Sequence, residues 1–126
     1  MTLPLQARIE ERTFHFKQPA GTSRGVYRTR KSWFITLTDK EGRQGTGECA
    51  PLPNLSCDAV PDYAEILSRH CHTLTRTGEI PFDELRPYPS MLFGLETAML
   101  HLKSGGLQFY DTPWSRGEEG IPINGL

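Results

Sequence analysis

The chain has 126 residues, of which 37% are hydrophobic and 23% are charged, and its formal net charge is -1 at pH 7. These values are typical of one small globular domain and exclude a disordered or fibrous segment. They give no overall attraction to nucleic acid or to an anionic membrane. No run of about 18 apolar residues could span a bilayer, and residues 1–5 lack the basic and apolar regions of a signal peptide. We therefore expect a cytoplasmic protein without nucleic-acid or membrane partners.

The first third of the chain is β-prone, and residues 7–17 predict a strand. Its apolar residues change parity along the strand: Ala7, Ile9, Phe14 and Phe16. A β-bulge near Glu10-Glu11 would bring both halves onto one face. Small residues then dominate the stretch from Gln18 to Gly25, which predicts a loop.

Two further strands follow. Alternation predicts a strand over Lys31 to Asp39, with Trp33, Ile35 and Leu37 on one face and Phe34, Thr36 and Thr38 on the other. Lys40-Glu41-Gly42 predicts a tight hairpin turn, and the chain returns through a third strand from Gln44 to Cys49. Three antiparallel strands are the simplest assembly.

The second half of the chain changes from a period of two to a period of about 3.6. A first helix is predicted, with Asp58 able to cap its start and Gly78 placed just past its end. Its apolar stripe consists of Val60, Tyr63, Ala64, Leu67, Cys71 and Leu74.

A second helix follows a proline-rich joint. Ser90 can cap its start and Gly105-Gly106 end it. Its inward residues are Met91, Leu92, Leu95, Ala98, Met99 and Leu102. Gly94 inside this helix costs about 1 kcal/mol relative to alanine, and a close backbone approach would justify it. A sheet followed by helices predicts the α+β class.

The last 20 residues form a separate region. Residues 107–120 predict a loop, and residues 121–126 are an apolar, strand-like run with Pro122 near its start. Such a run is a poor edge for the sheet already described. It is typical of the first strand of a further unit, and a tail packed on the helices is the alternative.

Three cysteines, Cys49, Cys57 and Cys71, are an odd number in a chain without an export signal, so we expect reduced thiols. His70 and His72 flank Cys71 on the predicted helix. Consecutive helical side chains point about 100° apart and cannot converge on one ion, so we predict no metal site there.

No complete catalytic set is visible in the sequence. Glu48 at a strand end could act as a base only if it were buried, and a solvated or paired glutamate is the ordinary alternative. Arg24 lies between Gly21 and Gly25, next to the hydroxyls of Thr22 and Ser23. A guanidinium in such a loop can grip a carboxylate through two hydrogen bonds, and an ordinary surface arginine is the alternative.

Three stretches together resemble the N-terminal capping domain of o-succinylbenzoate synthases, in the muconate-lactonizing-type subgroup of the enolase superfamily. They are Phe16–Gly25, Gly45–Asp58 and Phe93–Ala98, and they occur in the family's order. The resemblance implies a three-stranded antiparallel meander and a small helical bundle that cap a (β/α)8 barrel. It divides the chain into a capping domain, 1–106, and a segment, 107–126, that holds the linker and the first barrel strand.

The resemblance also implies where the function lies. Two loops shape the substrate pocket and exclude water, and they match this chain at Thr22, Ser23, Arg24 and Gly25 and at Leu52, Pro53, Leu55 and Ser56. In such enzymes a barrel lysine removes a proton α to a carboxylate, and Mg2+ held by barrel carboxylates stabilises the enediolate. Loss of hydroxide then yields o-succinylbenzoate for menaquinone synthesis.

The resemblance leaves the lysines and the metal ligands outside this chain. We therefore expect the chain alone to be inactive, to bind no Mg2+, to pair with its own C-terminal barrel, and to expose apolar surface that promotes self-association. A related dipeptide epimerase, N-acylamino acid racemase or muconate cycloisomerase is an alternative parent. A stand-alone module that binds acidic ligands is the alternative from another class.

Overall fold

The computed structural model describes residues 4–125. Three strands form one antiparallel sheet in the order β1-β2-β3: β1 is Gln6–Thr22, β2 is Gly25–Thr38 and β3 is Gln44–Cys49. Three helices follow: α1 is Tyr63–Thr77, α2 is Phe82–Leu85 and α3 is Pro89–Ser104. The predicted α+β class, a meander followed by helices, is confirmed. None of the helices in residues 4–125 is long and apolar enough to cross a bilayer.

The bulge in β1 lies elsewhere than predicted. Pairing with β2 is regular through Glu10 and Glu11 as far as His15, and the register shifts only between His15 and Ala20. The change of parity has another cause, because the two halves of β1 use different faces of the sheet. Ile9 pairs with Ile35 on the face that the helices cover.

Phe14 belongs to the opposite face of the sheet. Its ring packs edge-on against Phe34, with 6.1 Å between the ring centroids, and it stays 41% exposed. No bulge is therefore needed to bring Phe14 into the core. Trp33, Ile35 and Leu37 point to the helices as predicted.

The predicted loop from Gln18 to Gly25 is instead the end of a long hairpin. β1 continues to Thr22, β2 begins at Gly25, and only Ser23 and Arg24 form the turn. The Thr22 hydroxyl accepts from the Arg24 amide at 3.1 Å and donates to the Gly25 carbonyl at 3.2 Å. Gly25 has φ of +139°, which side chains other than hydrogen rarely allow.

The helix stripes are confirmed with three corrections. Ala64 is exposed and Ile66 takes its place in the core, because α1 starts at Tyr63 and its buried face is centred on Leu67. Asp62, not Asp58, lies at the start of α1, and Tyr88, not Ser90, precedes α3. The helices end at Gly78 and Gly105 as predicted, both with left-handed backbone conformations.

Residues 121–125 form neither strand nor helix. Ile121 and Ile123 are 67% and 90% exposed, so this run does not pack on the helices. A strand exists only where its backbone groups pair with a neighbour, and the described chain offers the run no partner. Leu126 lies outside the described residues, and the assignment of the run to a barrel stays a prediction.

α3 and β3 lie in backbone contact at three glycines. A Cβ atom on Gly47 would lie 2.8 Å from the carbonyl carbon of Gly94 and 2.9 Å from the amide of Ala98. One on Gly45 would lie 2.8 Å from the Cα atom of Leu102. The prediction that Gly94 marks a close backbone approach is confirmed, because its own Cβ would collide with the Cys49 sulfur.

We expect Gly47→Ala to destabilise the protein by about 1–3 kcal/mol, since the added methyl would force β3 away from α3. The sign of the change in unfolding free energy is informative, because in a strand without this contact alanine would stabilise the protein by about 0.5–1 kcal/mol relative to glycine. Urea unfolding measures the difference. Gly106→Ala is the matched control, since a Cβ there meets nothing within 4 Å. Equal stability of the two variants would contradict the close approach.

Candidate functional site

The chain leaves β3 at Cys49 and makes a compact turn. The amides of Leu55 and Ser56 donate to the Leu52 carbonyl at 3.1 and 2.9 Å. The Ser56 hydroxyl in turn accepts from the Leu52 amide at 2.8 Å. Asn54 has φ of +66°, a conformation that asparagine tolerates better than most residues. Residues 50–56 therefore form a loop held by its own hydrogen bonds.

This loop lies against the hairpin formed by β1 and β2. Three side chains of the hairpin donate to its carbonyl oxygens. Two belong to β2: Tyr27 Oη donates to Pro53 at 2.8 Å and Arg30 Nη2 to Ala50 at 2.6 Å. The third lies in the turn, where Arg24 Nη1 donates to Asn54 at 3.5 Å. The structure thus brings together the two stretches singled out in the sequence. We call the hairpin tip, residues 22–25, and the loop, residues 50–56, the loop pair.

All eight predicted site residues lie on the accessible surface of the loop pair. Thr22, Ser23, Arg24, Gly25, Pro53 and Leu55 are exposed, and Leu52 and Ser56 are half-buried. The surface offers one guanidinium, three hydroxyls and the apolar Leu55 side chain, which is 55% exposed. Such a surface can form hydrogen bonds to an anion.

Asp58 fastens the far end of the loop to α3. Its carboxylate is 1% exposed, and Oδ2 accepts from the amide of Ser90 at 2.8 Å and from the Ser90 hydroxyl. The Tyr63 hydroxyl lies 2.7 Å from the same Ser90 oxygen. Burial raises the pKa of Tyr63, which keeps the phenol protonated as a donor. Asp58 thus satisfies the first turn of α3, not of α1 as predicted.

The three thiols are free, as predicted. Burial raises the pKa of Cys49 and of Cys71 to about 12, so both stay protonated and pack as small apolar groups. Cys57 is exposed, next to the loop pair.

Other titratable side chains named in the sequence lie apart from the loop pair. His70 packs near Tyr88, with ring centroids 5.9 Å apart, and burial lowers its pKa, whereas His72 is exposed. Glu48 accepts a hydrogen bond from the Ser32 hydroxyl at 2.7 Å. Within residues 4–125, no three His, Cys, Asp or Glu side chains are grouped to hold a metal ion.

Sequence reasoning missed Tyr27, Arg30 and Asn54 as parts of the site. No motif marks a tyrosine whose hydroxyl meets a carbonyl 26 residues away. The proximity of Arg30 to Ala50 follows from the length by which β2 extends beyond β3. Only the register of the sheet could reveal it.

A solved structure has a similar fold. It is a mandelate racemase/muconate lactonizing protein from Herpetosiphon aurantiacus, with a TM-score of 0.60 over 81% of this chain and 32% of that chain, at 20% identity. A three-stranded meander followed by helices is therefore a fold that this chain shares with part of that protein.

The family model described as MenC, N-terminal domain matches residues 21–102. The chain belongs to this family. It is 33% identical over 88% of its length to an o-succinylbenzoate synthase of Desulfotalea psychrophila, and 31% identical over 78% to one of Thermosynechococcus vestitus. It spans 39% and 29% of the lengths of these two proteins. The resemblance inferred from the sequence is confirmed, and the chain is an o-succinylbenzoate synthase-like capping domain.

We expect a thiol reagent at pH 8 to label one cysteine per native chain, Cys57, and all three after unfolding. With a pKa of about 12, the buried thiols carry only about one thiolate in ten thousand molecules at that pH. Colorimetric titration measures both values. Cys57→Ser should remove the native reaction. Fast labelling of two or more thiols in the native protein would contradict the burial of Cys49 and Cys71.

Proposed function

We propose that this chain is the capping and substrate-specificity domain of an o-succinylbenzoate synthase. In this role the loop pair closes over a substrate held by a C-terminal barrel, sets which substrates fit, and excludes water. The observation that carries the proposal is the joining of the loop to the hairpin by hydrogen bonds from Arg24 in the turn and from Tyr27 and Arg30 in β2. The family match and the names of the two relatives support the parent activity.

The proposed substrate is an acidic small molecule, met by Arg24 with the hydroxyls of Thr22 and Ser23. The Arg24 guanidinium is exposed, and its contact with Asn54 is 3.5 Å long, at the limit of a hydrogen bond. It can therefore turn to a carboxylate at little cost and bind it through two parallel bonds. Ser23 lies in the same turn, and its hydroxyl can add a neutral hydrogen bond. The Thr22 hydroxyl can do so only by giving up its bond to the Gly25 carbonyl.

The chemical step belongs to residues outside this chain. Mg2+, which the family implies, would polarise the substrate carboxylate in the intact enzyme. Residues 4–125 do not fit it, because they group no three carboxylate, imidazole or thiolate ligands. We propose that the barrel supplies the metal ligands and the catalytic lysines, and that this chain supplies one wall of the pocket.

The proposed barrel also accounts for apolar surface on the second half of the chain. Phe93, Leu107, Trp114 and Ile121 are between 51% and 85% exposed. Such side chains mark interaction surfaces when they lie together, and a capping domain needs one against its barrel. Without the barrel, they would promote self-association of the chain.

A related dipeptide epimerase, N-acylamino acid racemase or muconate cycloisomerase is the second candidate parent. The fold alone does not separate these activities, because a protein named as a mandelate racemase/muconate lactonizing protein shares this fold at only 20% identity. Turnover of dipeptides, but not of the cyclohexadiene acid precursor of o-succinylbenzoate, by the full-length protein would select this alternative. Carboxylate binding by a complete 126-residue protein would select a stand-alone binding module.

In the full-length protein, we expect Arg24→Ala to lower kcat/KM about 10- to 100-fold, the value of one lost charge-assisted contact. The melting temperature should stay unchanged, because the side chain is exposed. Arg28→Ala, at an exposed arginine of β2 in the same hairpin, is the matched control. Equal kinetics for both variants would remove Arg24 from the substrate site.

We expect the 126-residue chain alone to show no dehydration of the cyclohexadiene acid, with or without Mg2+. Barrel active sites need residues from several strand ends, which this chain does not contribute. Absorbance of the o-succinylbenzoate product measures turnover, and the full-length protein is the positive control. Mg2+-dependent turnover by the purified chain would show that the assignment of the chemistry to the barrel is incorrect.

A further inference from the structure

We propose that Tyr27 and Arg30 are positioning residues that hold the two halves of the loop pair as one unit before substrate arrives. This inference rests on the proposed lid function and extends it to two residues without a substrate contact. It gives the residues of the hairpin different roles: Arg24 in the turn meets the substrate, whereas Tyr27 and Arg30 in β2 set the position of residues 50–56.

The strands β2 and β3 have unequal lengths. β3 pairs with β2 only as far as Cys49 opposite Trp33, whereas β2 extends eight residues further toward its start at Gly25. In this overhang, residues 50–54 run beside β2 in the place of a continued strand. Hydrogen bonds from β2 side chains, not from its backbone, join the two segments.

Tyr27 and Arg30 make short contacts with residues 50–56. Tyr27 Oη lies 2.8 Å from the Pro53 carbonyl and Arg30 Nη2 lies 2.6 Å from the Ala50 carbonyl, both short enough for strong hydrogen bonds. Both side chains are half-buried, whereas Arg24 is exposed and its contact is 3.5 Å long. Tyr27 and Arg30 are therefore committed to the loop, and Arg24 is not.

The Nε atom of Arg30 is buried and meets no acceptor within residues 4–125. Burying a donor without a partner costs free energy, so the guanidinium keeps this position only because its other contacts hold it. The observed bond comes from Nη2 of the planar guanidinium. A lysine would carry the same charge on a flexible stem without this planar group, so we expect that charge alone does not replace Arg30.

Asp58 holds the opposite end of the loop. It binds Ser90 at the first turn of α3, and α3 is itself held to β3 by the close approach at Gly45 and Gly47. Residues 50–56 are thus fastened on the helix side by Asp58 and on the hairpin side by Tyr27 and Arg30. A loop ordered in advance loses less conformational freedom on binding, which raises apparent affinity.

The test uses the full-length protein with Tyr27→Phe, Arg30→Lys and Arg30→Gln. Hydrogen exchange of the Leu55 and Ser56 amides, which bond inside the loop, reports its order. We expect exchange to speed up about fivefold or more in all three variants. We expect KM for the cyclohexadiene acid to rise by a similar factor while kcat stays within twofold, because an ordered loop favours substrate and transition state alike.

Two matched variants act as controls. Tyr110→Phe removes a phenol in the exposed tail, and Arg28→Gln removes an exposed arginine from the same strand. Neither should change exchange or KM. Unchanged exchange in Tyr27→Phe and in Arg30→Gln would overturn the proposal, and wild-type behaviour of Arg30→Lys would overturn the role of the guanidinium fork.

The outcome separates this proposal from the lid function on which it rests. If the full-length protein does not turn over the cyclohexadiene acid, the proposed function fails, and exchange at Leu55 and Ser56 still decides whether Tyr27 and Arg30 hold the loop. If turnover is present and Tyr27→Phe changes exchange without changing KM, the coupling exists but does not position the substrate wall, and the positioning role is overturned.

Discussion

The close approach of α3 to β3 is the constraint on which the rest of the structure depends. Gly45 and Gly47 present bare backbone to Ala98, Leu102 and Gly94, and no side chain separates the helix from the strand. Leu95, Ala98 and Leu102 are consequently fully or almost fully buried, and Cys49 lies in the core at the end of β3. A domain of this size has one core, and this contact fixes the position of α3 on β3, where the two backbones meet directly at Gly45 and Gly47.

The same contact determines where the loop pair can form. Because β3 is pressed on α3 up to Cys49, the chain must leave the sheet at Ala50, beside the overhang of β2. It returns to α3 at Asp58, whose buried carboxylate meets the amide of Ser90. Residues 50–56 therefore connect two points of the rigid core, Cys49 and Asp58, and the hairpin also supports them. This arrangement explains how a loop with mostly exposed residues can still present a defined surface.

The chemistry of the loop pair follows from its exposure. Thiols that could act as nucleophiles, Cys49 and Cys71, are buried where their pKa values rise to about 12. Cations near the loop pair are arginines, whose guanidinium groups bind carboxylates and carbonyl oxygens but do not transfer protons. A surface of this kind can bind an acidic small molecule, and the lid function proposed for the loop pair is consistent with this chemistry.

The amino-acid sequence alone was enough to predict the main elements and the family. The turn at residues 40–42 predicted the third strand at Gln44–Cys49, and periodicity predicted the buried stripe of α3. Gly94 indicated the close approach, and three stretches indicated the o-succinylbenzoate synthase family. These signals are local, because each depends on the spacing of neighbouring residues. Only the tertiary structure showed which distant residues meet. Asp58 binds the first turn of α3 from 32 residues away, and Tyr27 and Arg30 bond to Pro53 and Ala50. The parity change at Phe14 reflects a second face of the sheet and not a bulge. Such contacts depend on strand register and on where one strand outruns another, which no local pattern encodes.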